Sequence, residues 1–126
     1  MKSEQPSSAI LWEAGVIMNK FELFCMIFFV LEADWDETKD STIGEYLSSA
    51  NPFLFEDIGS ADSSVYSDFC NCISEPISIE SSYSEAVKYL KALGNQKIVD
   101  AFMKTTEEEW IESVKDYLST SHKGEQ

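Results

Sequence analysis

The chain contains no arginine, and all nine of its basic residues are lysines. Arginine carries the planar guanidinium fork that grips phosphate in two places at once. A reading that depends on holding a nucleotide or a nucleic-acid backbone therefore loses its commonest tool. Against those nine lysines stand 23 acidic residues, for a formal net charge of −14. Such a field repels polyanions, which argues against direct nucleic-acid binding and makes a basic protein the expected charged partner.

Histidine is nearly absent too. His122, the only one, lies close to the C-terminal end with no apolar anchor around it, so histidine-based triads and dyads lack their base. The five glycines never fall into the spacing of a phosphate loop, a dinucleotide-binding turn or a nucleophile elbow. These gaps predict a protein that is not an enzyme and holds no cofactor. Three cysteines, Cys25, Cys70 and Cys72, are an odd number and suggest no disulfide framework. Cys70 and Cys72 alone cannot supply the four ligands of a structural zinc. No apolar run follows Met1 to Ser8, as a secretory signal would require, and the most apolar stretch, Leu23 to Leu31, is far short of the ~20 residues of a membrane span. The expectation is a cytoplasmic protein without a membrane partner.

What the chain does have is core material. With 126 residues, 44% hydrophobic and 13% aromatic, it can bury enough apolar surface to fold as one domain, residues 1–126, with flexible ends at 1–6 and 121–126. A first helix is expected from Ser7 or Ser8, with a stripe of Ile10, Ala14, Ile17, Phe21, Phe24, Phe28, Leu31 and Trp35 in steps of four and three. It is apolar nearly all round between Phe24 and Leu31, as a central helix surrounded by others would be. A short helix over Thr42 to Ser49 is weakened by Gly44, and Asn51-Pro52 closes it. Pro52 to Ala61 reads as an irregular, packed aromatic loop.

Asp62 is a good N-cap for a helix over Ser63 to Ser74, ended by Pro76. After a short extended piece, Ile77 to Glu80, Ser82 and Glu85 suggest a capping box opening a helix that Gly94 stops. Such a piece would need a partner, either in a hairpin near residues 75–81 or in a strand from the Phe53 segment. Helices over Gln96 to Lys104 and Glu107 to Ser119 follow, the latter opened by a Thr106–Glu109 box. The fold class is all-α: a bundle of five to six helices around the apolar N-terminal one.

The acidic run from Asp34 carries the candidate chemistry. Asp34, Asp36, Thr38, Asp40, Thr42 and Glu45 take positions one, three, five, seven, nine and twelve of an EF-hand-like loop, but Lys39 stands where the turn calls for glycine, and no metal site is assigned. Carboxylate pairs for acid–base work can be drawn from Glu32, Asp34, Asp36, Glu56 and Asp57, as a chain this acidic would offer by chance. Between Glu32 and Asp68 lie ten acids and one base, Lys39. Trp35, Tyr46, Phe53 and Phe55 are interleaved with them, the composition of a surface that steers a basic partner with charge and anchors it with rings.

Asp34-Trp35-Asp36, Tyr46-Leu47-Ser48, the Ala50-Asn51-Pro52-Phe53-Leu54-Phe55 run and Gly59-Ser60-Ala61-Asp62 with Tyr66 beyond resemble segments of a family of small, acidic bacterial proteins. In size and charge that group is similar to immunity proteins, which neutralise toxins of polymorphic systems. The resemblance implies inhibition by tight binding, without catalysis.

The expected function is a non-catalytic, acidic protein-binding module, most concretely an immunity protein that blocks a basic toxin domain. Its contact residues would be Asp34, Trp35, Asp36, Glu37, Asp40, Glu45, Phe53, Phe55, Glu56, Asp57 and Asp62. Two alternatives are a DNA mimic occupying a nucleic-acid-binding protein and a carboxylate- or calcium-dependent enzyme.

Overall fold

Eight consecutive residues, Phe21 to Phe28, and then Leu31 are buried on one helix, Lys20–Thr38 (α1). A helix enclosed on every side needs neighbours on every side, and α1 has them. In the computed structural model, which describes residues 17–52 and 62–119, the chain runs through β1 (Ile17–Met18), α1, α2 (Ser41–Ala50), α3 (Ser63–Cys72), β2 (Ile77–Ser78), α4 (Ile79–Ala92), α5 (Gln96–Met103) and α6 (Glu107–Leu118). Helix α1 packs on α2, α3, α4 and α5, and reaches α6 through Phe29 and Tyr117, whose ring centroids are 5.8 Å apart. The fold is an all-α, single-domain bundle around this central helix. Among the described residues no helix is long and apolar enough to cross a membrane.

The start of α1 corrects the sequence reading. Ile17 and Met18 are extended, and the helix begins only at Lys20, so Ile17 does not continue its stripe. The reason is local: Asn19 and Glu22 form a capping box, Asn19 Oδ1 accepting the Glu22 N–H at 2.7 Å and Glu22 Oε1 accepting the Asn19 N–H at 2.8 Å. Reciprocal caps satisfy two otherwise orphaned donors and fix the helix end, whatever the apolar spacing suggests upstream. The same contact gives the buried Glu22 a hydrogen-bond partner. The expected start at Ser7 or Ser8, the ends at 1–6 and 121–126, and the Pro52 to Ala61 segment beyond Pro52 itself lie outside the described residues.

Helix α4 also begins earlier than expected. Its cap is Ser78, boxed with Ser81, rather than Ser82 boxed with Glu85. Ile79, Ser82, Ala86 and Tyr89 are buried at steps of three and four, so Ile79 belongs to the helix stripe and only Ile77–Ser78 remain extended. That strand pairs antiparallel with β1, Ile17 opposite Ser78 and Met18 opposite Ile77. Its partner thus comes from the segment before α1, not from a local hairpin or the Phe53 segment. Glu85 instead accepts the Ser74 N–H at 3.0 Å, and α3 stops at Cys72 with Ile73 extended behind it.

Elsewhere the local signals hold. Asp62 caps α3, the Thr106–Glu109 box opens α6, and Gly94 follows α4 with φ +76°, a left-handed turn that glycine adopts at little cost. The core is a chain of rings: Phe24 lies 5.0 Å from Phe69, Phe69 4.9 Å from Tyr89, and Phe102 5.3 Å from Trp110 by centroid. The buried Trp110 indole donates to Ser82 Oγ at 2.8 Å, and Ser82 donates in turn to the Ile79 carbonyl at 2.7 Å.

Candidate functional site

The last turns of α1 leave the core, and there the acidic run meets solvent. Glu32, Asp36 and Glu37 are exposed, while Asp34 and Trp35 are half-buried. The helix ends at Lys39, which adopts a left-handed conformation (φ 53°) and closes the last turn by donating its N–H to the Trp35 carbonyl at 2.7 Å. Asp40 then caps α2, accepting from the N–H groups of Thr42 at 2.8 Å and Ile43 at 3.3 Å. These bonds, led by that from Ile43, hold its carboxyl below the ordinary value of 3.8. So short a connection folds α2 back against α1.

At Gly44 the Trp35 side chain of α1 comes close against α2. A Cβ on Gly44 would stand 2.8 Å from the Trp35 indole nitrogen, so the indole rests where any larger residue would intrude. Expected as a weak point of α2, this glycine is what lets Trp35 pack there. Beside it opens a cleft of about 190 Å3. Buried Phe28 and Leu47 form its apolar part, Trp35 and Gly44 line it, and Glu32, Ser48 and Asn51 supply polar atoms. The Trp35 ring already carries a cation: Lys39 Nζ lies 4.1 Å from its centroid and 3.2 Å from Asp36 Oδ1.

On the opposite flank, α1, α2 and α5 enclose a second depression of about 170 Å3 that includes Asp34, Asp40, Asp100, Lys97 and Lys104. Here two of the three carboxylates are paired within the chain. Lys104 pairs with Asp34 at 2.8 Å and Lys97 with Asp40 at 3.7 Å. The hydrogen bond to Asp34 raises the Lys104 ammonium above its ordinary value.

The contact residues expected from sequence therefore divide. Asp34, Asp36 and Asp40 each hold a lysine of the same chain. Trp35 is half-buried at the cleft, and Glu37 and Glu45 are exposed. Asp62 is exposed but serves as the α3 cap, accepting from the Ser64 N–H and hydroxyl. Phe53, Phe55, Glu56 and Asp57 lie outside the described residues. Tyr46 is half-buried, with its hydroxyl 2.8 Å from that of Tyr89, and burial pushes that hydroxyl well above the ordinary tyrosine value.

The EF-hand-like spacing has no loop behind it. Asp34, Asp36 and Thr38 are helical, Asp40 is a cap, and Thr42 and Glu45 belong to the next helix. Among the described residues no three acidic, histidine or cysteine side chains converge as a metal site would require. Nor are the carboxylates confined to the strip: Glu107, Glu108, Glu109, Glu112 and Asp116 stand exposed on α6, the first three in its opening turn, where the helix dipole favours them.

Sequence reasoning passed over Glu32 as a contact residue. Its signal was present, since Phe28, Glu32 and Trp35 fall on one helix face at steps of four and three. No protein-family model, curated protein or solved structure matches the chain.

Proposed function

We propose that this chain is a non-catalytic binding module for a basic protein, most concretely an immunity protein that neutralises a basic toxin domain, and that it presents the end of α1 and the start of α2. The observation that carries this reading is the pairing of exposed acids with a partly open ring. Glu32, Glu37 and Glu45 are exposed and show no ion pair among the described residues, and Glu32 lines the Trp35 cleft. Charge of this kind accelerates encounter with a positive surface, and an aromatic at an apolar cleft supplies the anchor.

The lysines on the opposite flank support the same choice of face. Asp34 and Asp40 are already engaged by Lys104 and Lys97, which leaves them less free to meet a partner and interrupts the row of negative charge that imitation of a phosphate backbone would need.

The test is protection. The chain is used to capture proteins from its native host, and a captured basic protein is expressed in a sensitive cell with or without it. The reading expects the basic protein to be toxic alone and harmless beside the chain. A captured partner that is neutral or acidic, or whose toxicity persists, would falsify it.

A further inference from the structure

The structure assigns the α1–α2 cleft as a seat for a single arginine side chain of the partner, with Glu32 as its counter-ion and the Trp35 indole as its stacking surface. This rests on the basic-partner reading above and names the chemistry of its anchor.

Three independent features converge on a cationic, planar occupant. The cleft is the size of a side chain rather than of a helix, about 190 Å3, and its apolar part is made by Phe28 and Leu47. It therefore suits a group with an aliphatic stem. Glu32 lies among its lining residues with no ion pair among the described residues, unlike Asp34 and Asp40, which hold lysines. The Trp35 ring draws a cation, as Lys39 Nζ at 4.1 Å from its centroid demonstrates. Arginine satisfies all three at once, because its guanidinium stacks on an indole and bonds a carboxylate through two N–H groups, whereas an ammonium acts only as a point charge. Ser48 also lines the cleft, and its hydroxyl, which donates to the Gly44 carbonyl at 3.1 Å, keeps lone pairs that can accept from a further donor. This chain has no arginine of its own, and the cation now at the ring is the Lys39 ammonium, a point charge that cannot make the two-pronged carboxylate bond.

The probe is a capped Gly-Arg-Gly peptide, compared with the same peptide carrying lysine or neutral citrulline. Nuclear magnetic resonance follows the Trp35 indole N–H and the amides of Glu32, Gly44 and Ser48. Saturable shifts are expected there, strongest with arginine, and about tenfold or more weaker with citrulline or in Glu32→Gln, as loss of one charge-assisted contact implies. Gly44→Ala places a methyl group against the indole while leaving every charge in place, and should weaken binding similarly.

Shifts spread equally over α6, or insensitive to Gly44→Ala, would overturn the cleft. A basic partner captured equally well by the wild type and Gly44→Ala would also overturn it, and leave the basic-partner reading standing. Saturable arginine binding in the cleft without any basic partner from the host would support the cleft and overturn that reading.

Discussion

Ser82 shows how far a single residue's role can lie from its local pattern. Followed three positions later by Glu85, it resembles a helix cap, yet its hydroxyl is buried beneath Trp110 and accepts the indole N–H. Ser82→Ala would leave that donor unsatisfied in the core and should cost about 1–3 kcal/mol in a urea titration; an unchanged midpoint would mean the indole finds another acceptor. Gly44 is the companion case. Glycine to alanine inside a helix ordinarily gains up to about 1 kcal/mol, but here the new methyl meets Trp35 at 2.8 Å. Gly44→Ala should therefore bring no rise in melting temperature and a changed Trp35 indole resonance. Neither role was legible in the sequence, because each depends on a partner brought up by folding: Trp110 from another helix, Trp35 from across a turn.

Elements were more legible where their signals are short-range. Asp62, Thr106 with Glu109, and Gly94 act on backbone groups within a few residues, so pattern and structure agree. Asn19 went unread because the apolar step from Ile17 to Phe21 carries straight across it. The β1–β2 ladder has two residues per strand, too few to show alternation. The caps also make the starts of α2 and α3 sensitive to acid. Asp40 and Asp62 both have carboxyls held below 3.8, by backbone donation from Ile43 and by the Ser64 hydroxyl respectively. A depressed folded-state value means that their contribution is fully present above 3.8 and is lost as pH falls through the lower folded value. Amide exchange at Thr42 and Ile43 should thus accelerate selectively in strong acid. Asp40→Asn, which retains a capping oxygen, should flatten that pH dependence; identical profiles for both proteins would remove the charge from the explanation.

At the scale of the whole molecule, −14 is the dominant fact, and the sequence displayed it without help. Among the described residues four ion pairs oppose it, and exposed pairs contribute roughly 0–1 kcal/mol each. Self-repulsion should win. Raising sodium chloride from about 0.05 to 0.5 M shortens the screening length to a few ångströms and should raise the melting temperature, whereas a fall would show that the ion pairs matter more. What the sequence left undecided was which acids remain available, since their pairing with Lys97 and Lys104 depends on how α5 packs beside α1 and α2.

That distinction separates a specific acidic surface from mere net charge, and one comparison isolates it. Binding of the captured basic partner would be measured by calorimetry for two variants with equal charge removed: Glu32→Gln, Glu37→Gln and Glu45→Gln together, against Glu107→Gln, Glu108→Gln and Glu112→Gln on α6. Affinity should collapse in the first and persist in the second. Equal weakening in both, or a greater loss from α6, would contradict the account.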